Sequence, residues 1–283
     1  LIVKDRNIAI GIGLHKSGTS WLYKQLEHHT QVNLLQRDTH VFSKYALEQD
    51  FLIQHLQQFS RDQKYLISIE MSNGYLVDEQ ALQGIKYSLP NAKIFLILRN
   101  PVERLISHYF QLKKIGDVSA GDTFQIFCEN STVKQIGKYK LHLEKLFAIF
   151  DQEQIHLMLF DDIVERPNQL LSDFYAFLSV DESEISEYIV HVKANPRRAS
   201  KWVKLEQFQN DAYYKLRNHS VGKHLWYFAK KIKLGALIRK LNARPAEDVV
   251  IGDALERELY SCYQEDIDYI RSITNRPLLW SNK

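Results

Sequence analysis

Residues 11–22 read Gly-Ile-Gly-Leu-His-Lys-Ser-Gly-Thr-Ser-Trp-Leu and follow the apolar run Ile8-Ala-Ile10. The stretch predicts a short buried strand, a Gly-bearing turn and a helix that opens near Trp21. Such a turn gathers the ammonium of Lys16, the hydroxyls of Thr19 and Ser20 and a set of backbone N–H groups at one helix N-terminus. That is an anion site, best suited to phosphate or sulfate. A nucleoside triphosphatase loop would require Lys directly after its last Gly. Here Lys16 precedes Gly18 by two positions. The loop is expected to hold phosphate without being a Walker loop.

A second strand-to-helix junction repeats the layout. Arg99 closes the apolar run Ile94–Leu98, Pro101 fits the first turn of a helix, and Ser107 lies two turns further on. The Arg99 guanidinium is a planar fork of donors that matches phosphate, and Ser107 can add a hydroxyl. Taken singly, Arg99 reads equally well as a strand-end ion pair and Ser107 as a surface serine.

Strand-like runs are expected at 7–13, 65–70, 93–98 and 155–160, with a further short strand before residue 36. Helical patterns fill 20–29, 78–88, 102–114 and 133–150. This alternation predicts an α/β fold with a parallel sheet covered on both faces. In such sheets ligands bind beyond the carboxyl ends of the strands, where the Lys16 loop falls. From residue 163 the pattern turns helical, over 163–178, 182–191, 201–217, 223–241 and 253–273. A polar, basic loop at 192–201 carries Arg197 and Arg198. A single domain spanning 1–283 is expected.

Bulk composition narrows the classes. The chain has 283 residues, 45% hydrophobic and 25% charged, which suits a globular domain with a sizeable core. Cys128 and Cys262 are too few for a disulfide framework and lack metal-ligand spacing, so a reducing, cytoplasmic setting is expected. No run of about 18 apolar residues occurs, which predicts no membrane span. The net charge is only +3, yet nine lysines and arginines fall between Lys215 and Arg244 with no acidic residue among them. Apolar residues sit among them at helical spacing, so a packing helix with a solvated basic face is expected. Contact of that face with an anionic surface is the sharper alternative.

The two junctions together, Lys-x-Gly-Thr after the first strand and Leu-Arg-x-Pro-x-x-Arg-x-x-Ser later, resemble the sulfotransferases that use 3′-phosphoadenosine 5′-phosphosulfate (PAPS). Gly137-Lys-Tyr139, Ile155-x-x-x-Leu159-Phe-Asp161-Asp162 and the closing Asn275-Arg276-Pro-Leu-Leu-Trp280 extend the resemblance, nearest the carbohydrate-type and bacterial branches. It implies a P-loop-like, doubly wound sheet, PAPS as donor, no metal and a hydroxyl-bearing acceptor such as a glycan, lipid or biosynthetic intermediate. It further implies that Lys16, Ser17, Gly18, Thr19, Ser20 and Trp21 surround the 5′-phosphosulfate, with Lys16 stabilising the leaving phosphate. Arg99 and Ser107 would bind the 3′-phosphate, joined by Arg197 or Arg198. The base would come from Gln36-Arg-Asp38-Thr-His40, with Asp38 placed first and His40 as competitor. His108 is read as structural.

One departure stands out. Where many members carry Glu-Lys-[ST]-Pro-x-Tyr, this chain has Glu70-Met71-Ser72-Asn73-Gly74-Tyr75. A cation is missing at Met71, for which Lys44 or another basic residue would have to compensate, with Ser72 still offering a hydroxyl. The rival readings are a nucleotide kinase with a variant loop, a nucleic-acid-binding module resting on the basic stretch, and a degenerate nucleotide-binding protein. The kinase lacks the Walker order, and the basic stretch carries no recognition motif for nucleic acid; no nucleic-acid partner is expected.

Overall fold

The computed structural model describes residues 7–44, 49–59, 64–118, 121–184, 198–200, 243–245, 251–276, 278 and 280. Arg197, the helical patterns expected at 201–217 and 223–241, and nearly all of the basic stretch lie outside these residues. No described helix is long and apolar enough to cross a membrane. The described residues within 1–104, 136–194 and 260–283 form one compact unit, and those within 105–135 and 195–259 a second.

The first unit is built on five parallel strands: β1 (Ile8–Gly13), β2 (Val32–Leu34), β3 (Ile67–Met71), β4 (Lys93–Leu98) and β5 (Ile155–Leu159), in the order β2-β3-β1-β4-β5. Strands β1 and β3 are buried along their whole length and β4 along all but its first residue. Burial on both faces is why β1 and β4 read as continuous apolar runs, whereas β3 alternates, burying Ser68 and Glu70 on one of its faces. On one face Ala9, Ile67, Ile69, Met71, Phe95, Ile97 and Met158 pack against helices α1 (Thr19–Glu27) and α10 (Pro167–Leu178). Their alternating neighbours Ile8, Ile10, Ile12, Ile94, Leu96 and Leu98 fill the other face. The expected α/β sheet is present.

The remaining helices of this unit are α2 (Val41–Lys44), α3 (Gln49–Gln58), α4 (Glu79–Ser88), α8 (Tyr139–Ile149), α9 (Phe160–Glu165) and α12 (Gln264–Thr274). Helix α5 (Pro101–Ile115) begins here, its first amides capped by Asn100 Oδ1, which accepts from the N–H of Val102 at 3.0 Å.

The structure divides three segments that periodicity reads as continuous helices. The expected helix at 133–150 is α7 (Ser131–Gln135) and α8, parted at Gly137. A Cβ there would lie 2.6 Å from the Tyr263 ring, so the close approach of Tyr263 requires glycine. The expected helix at 163–178 is α9 and α10, parted at Arg166 because Pro167 has no N–H and opens the new helix at its first position. The expected helix at 253–273 is α11 (Asp253–Cys262) and α12, parted at Tyr263.

The second unit contains α6 (Phe124–Glu129), α7, α11 and the antiparallel pair β6 (Arg198–Ser200) and β7 (Ala243–Pro245). Thr123 caps α6, its Oγ1 accepting from Ile126 N–H at 3.3 Å. Tyr109 packs edge-on against Phe124 at 5.4 Å, and His108 lies edge-on to Phe127 at 6.0 Å, the structural place expected of that histidine. Burial pushes the Cys128 thiol up to about 12, so it is an inert packing group. Ser107 is half-buried on α5. Arg198 is not in a loop: its backbone pairs with Pro245 in β6, a long-range pairing that a locally polar sequence does not announce.

Replacing Gly137 by Val should lower the unfolding free energy by about 1–3 kcal/mol, the usual cost of overpacking. Thermal melts of the purified chain check this, and an unchanged midpoint would contradict the tight approach to Tyr263.

Candidate active site

Because the five strands are parallel, every outgoing loop of the sheet emerges at one edge. Strand β1 delivers residues 14–18 there, β2 delivers 35–40, β3 delivers 72–74 and β4 delivers Arg99. The β1 loop turns through Lys16 (φ 71) and Gly18 (φ 95) before α1 begins. Left-handed backbone favours glycine, and at Gly18 space also demands it: a Cβ would lie 2.5 Å from Ile163 Cδ1. No side chain caps α1. The amides of Thr19 and Ser20 therefore have no intrahelical partner. The Ser17 side chain is fully buried, and its Oγ has no hydrogen-bond partner among the described residues. An orphaned buried hydroxyl beside uncapped amides fits an anionic group seated in this loop.

Arg99 joins the two junctions directly. Its Nη1 donates to the Lys16 carbonyl at 3.3 Å, and its Nη2 donates to Glu103 at 2.8 Å. The guanidinium stacks over Phe160 at 4.3 Å. The carbonyl of Arg99 accepts from the Tyr139 hydroxyl at 2.7 Å, and Arg104, fully buried, hydrogen-bonds the same hydroxyl. Burial pushes that phenol up to about 12 despite the two arginines, so Tyr139 stays a neutral donor. Tyr139 and Arg104 were visible in the sequence motifs, but nothing local showed that they meet.

The β2 loop carries both base candidates, Asp38 (φ 56) and His40 (φ 50), each in left-handed backbone. Such strain requires anchoring from outside the loop. The anchors lie on the end of β3. Asp38 N–H donates to the Met71 carbonyl at 2.7 Å, and Asn73 Nδ2 donates to Asp38 Oδ1 at 2.8 Å. Thr39 Oγ1 donates to Glu70 Oε1 at 2.9 Å, and His40 N–H donates to Ser72 Oγ at 3.1 Å. Ser72 in turn donates to Glu70 Oε1 at 2.5 Å, while the Tyr75 hydroxyl approaches the same oxygen at 3.5 Å. Ser72 is fully buried and committed to this network, so it has no hydroxyl to offer a ligand.

Glu70 was read only as part of a departing motif, yet it is the hub of the loop's anchorage. Burial pushes its carboxyl up to about 7, opposed by the hydroxyls of Ser72 and Thr39 and reinforced by Asp38. His15, also given no role in the sequence reading, shares the electrostatic neighbourhood. Burial holds its imidazole below the ordinary range, Asp38 opposes this, and His40, Arg104 and Lys16 add to it. One signal could have pointed to His15: its place inside the phosphate-type loop beside Lys16.

One expectation is corrected. Trp21 does not present its side chain to a ligand: the residue is 2% exposed in the core, and its backbone N–H donates to the Gly18 carbonyl at 2.8 Å. An amphipathic α1 turns this position inward. Met71 is 3% exposed and packed in the same core, so position 71 supplies no cation. Lys44 ends α2, and its side chain lies outside the described residues. Lys16, Ser17, Gly18, Thr19, Ser20, Asp38, His40 and Arg99 all belong to the first unit, at the carboxyl edge of its sheet.

The sequence profile of the sulfotransferase domain matches residues 7–234. The chain belongs to the sulfotransferase domain family. Among the relatives of this sulfotransferase chain is the heparan sulfate glucosamine 3-O-sulfotransferase 5 of Mus musculus. It is 29% identical over 208 residues, covering 68% of this chain and 59% of that protein. The Homo sapiens protein of the same name is 27% identical over 205 residues with the same coverage. The chain thus matches under two thirds of the length of these relatives. A solved sulfotransferase from Alicyclobacillus acidocaldarius has the same fold, with a TM-score of 0.55 at 20% identity, covering 79% of this chain and 96% of that one.

The burial of Glu70 has a measurable consequence. Its folded-state pKa lies above the ordinary 4.5, so between that value and about 7 the folded protein holds a proton that the unfolded chain has released. Stability should therefore fall as pH rises through this window, by a few kcal/mol at most. Glu70→Gln should flatten that part of the curve in denaturant titrations from pH 4.5 to 8. An equal slope in both proteins would show that Glu70 is not the titrating group.

Proposed function

We propose that this chain transfers the sulfuryl group of PAPS to an acceptor hydroxyl. The observation that carries the reading is the Arg99 hydrogen bond to the Lys16 carbonyl at 3.3 Å. It holds two anion-binding elements side by side next to a loop that carries a carboxylate and an imidazole. The donor supplies an activated sulfuryl group on a good leaving phosphate. In the transfer, the acceptor oxygen forms a bond to sulfur, and the bond from sulfur to the bridging oxygen breaks. Its electron pair stays with the 5′-phosphate of the departing 3′-phosphoadenosine 5′-phosphate (PAP).

The residues divide the labour by chemistry. Lys16 neutralises charge that grows on the leaving phosphate, the effect expected of a preorganised cation. The amides of Gly18, Thr19 and Ser20 and the hydroxyls of Ser17, Thr19 and Ser20 hold that phosphate. Arg99 takes the 3′-phosphate. Asp38 accepts the acceptor's proton, with His40 as the competing base; Asn73 and the β3 anchors fix the carboxylate's direction. A glycan hydroxyl is the favoured acceptor, because relatives of this chain are named for glucosamine in heparan sulfate. Loops that build an acceptor pocket are the part of a fold that varies most, so lipid and small alcohols belong in the same screen.

Two variants test the donor site. Lys16→Ala and Arg99→Ala should each weaken PAP binding, read by calorimetric titration, by about tenfold or more, the scale of a lost charge-assisted hydrogen bond. Unchanged affinity in both would overturn the assignment. For the base, Asp38→Asn should retain PAP affinity and lose roughly a hundredfold or more in kcat with a desulfated heparan acceptor, the usual scale for a general base. Retained turnover in that variant would pass the role to His40.

A further inference from the structure

Arg37 sits between the two halves of the proposed reaction. Its Nη1 donates to Ser20 Oγ at 3.1 Å, on the first turn of α1. Its Nε donates to Asp38 Oδ2 at 3.1 Å, on the β2 loop. The guanidinium carbon lies 5.3 Å from the centre of the Tyr23 ring, which backs it with an aromatic face. The side chain is 26% exposed, hence partly desolvated and still open to a ligand.

A guanidinium has five N–H donors in a fixed plane. The two contacts use one from Nε and one from Nη1. The second N–H of Nη1 and both of Nη2 have no hydrogen-bond partner among the described residues. Ser20 Oγ accepts from a cation, so its own O–H is left to donate outward and is polarised to do so. Charge requires a cation here. The sulfuryl group in flight carries anionic oxygens between the donor phosphate and the base, and Asp38 adds a negative charge beside its path. Position 71 supplies none, Arg99 is assigned to the 3′-phosphate, and burial keeps His15 toward its neutral form.

We infer that Arg37 is the cation that binds the sulfuryl oxygens of the donor, by its outward Nη N–H groups, and so replaces the charge missing at Met71. This rests on the PAPS reading above. Arg37 discriminates between the two nucleotides: PAPS carries the sulfuryl group and PAP does not. A residue that only braces Ser20 or Asp38 would affect both alike.

The experiment is calorimetric titration of the wild type, Arg37→Met and Arg37→Lys with PAPS and with PAP, without acceptor. Arg37→Met should lose about tenfold or more in PAPS affinity and keep PAP affinity within about twofold, since Lys16, the α1 amides and Arg99 hold the rest of the nucleotide. Arg37→Lys keeps the charge and should recover part of the loss; it also serves if the Met variant fails to fold. Equal losses for PAPS and PAP, or no loss for either, would overturn the inference while leaving the donor site standing. A folded wild type that binds neither nucleotide would overturn the donor reading, and this inference with it.

Discussion

Parallel strands send all their outgoing loops to one edge of a sheet, and the site depends on this constraint before any side chain acts. With β1 at the centre and β3 and β4 on either side of it, the Lys16 loop, the Ser72 turn and Arg99 become neighbours. Strand β2, outside β3, adds the loop with Asp38 and His40. The hydrogen bond from Arg99 to the Lys16 carbonyl converts that topological nearness into a defined spacing. Strand packing gives the edge a firm base, because β1, β3 and β4 are buried and largely apolar. The loops can then hold polar groups without help from the core.

Polar burial beneath the edge is concentrated on one carboxyl group. Glu70 Oε1 accepts from Thr39 and Ser72 and lies within reach of Tyr75. Those hydroxyls compensate part of the cost of removing a carboxylate from water, and the raised pKa records the part left over. The return on that cost is orientation. Thr39 lies between Asp38 and His40, so fixing Thr39 fixes the backbone of both, while Ser72 takes up the His40 amide. Two non-glycine residues in left-handed backbone, only one residue apart, would not persist in a free loop.

The sheet and both strand-to-helix junctions were legible in the sequence because their signals are local. Ile8–Gly13 and Lys93–Leu98 are continuous apolar runs, and Lys16 and Arg99 each follow such a run at once. Helix ends were less legible for the opposite reason. Gly137 and Tyr263 mark breaks only because they meet in space, over a hundred residues apart. Pro167 was a local signal and was under-read, since the apolar spacing continues across it. At the sheet edge, the places of Lys16, Asp38 and Arg99 followed from motif position, whereas those of Glu70, Arg37 and His15 did not. Their places depend on which strand lies next to which, and no window of sequence contains that. Trp21 misled in the reverse direction: its position in a binding motif hid its place on the inward face of α1.

Phe160 gives this arrangement a further property. One face of its ring lies under the Arg99 guanidinium, and its edge is 3.1 Å from where a side chain on Gly18 would begin. The same six-membered ring therefore lies against both proposed anion-binding elements, and its width would act as a gauge block between them. A nucleotide's two phosphate positions are separated by a fixed length of ribose, so a fixed gauge selects ligands by their phosphate-to-phosphate span. Selectivity for nucleotide shape would then reside partly in a residue that carries no charge and touches no phosphate.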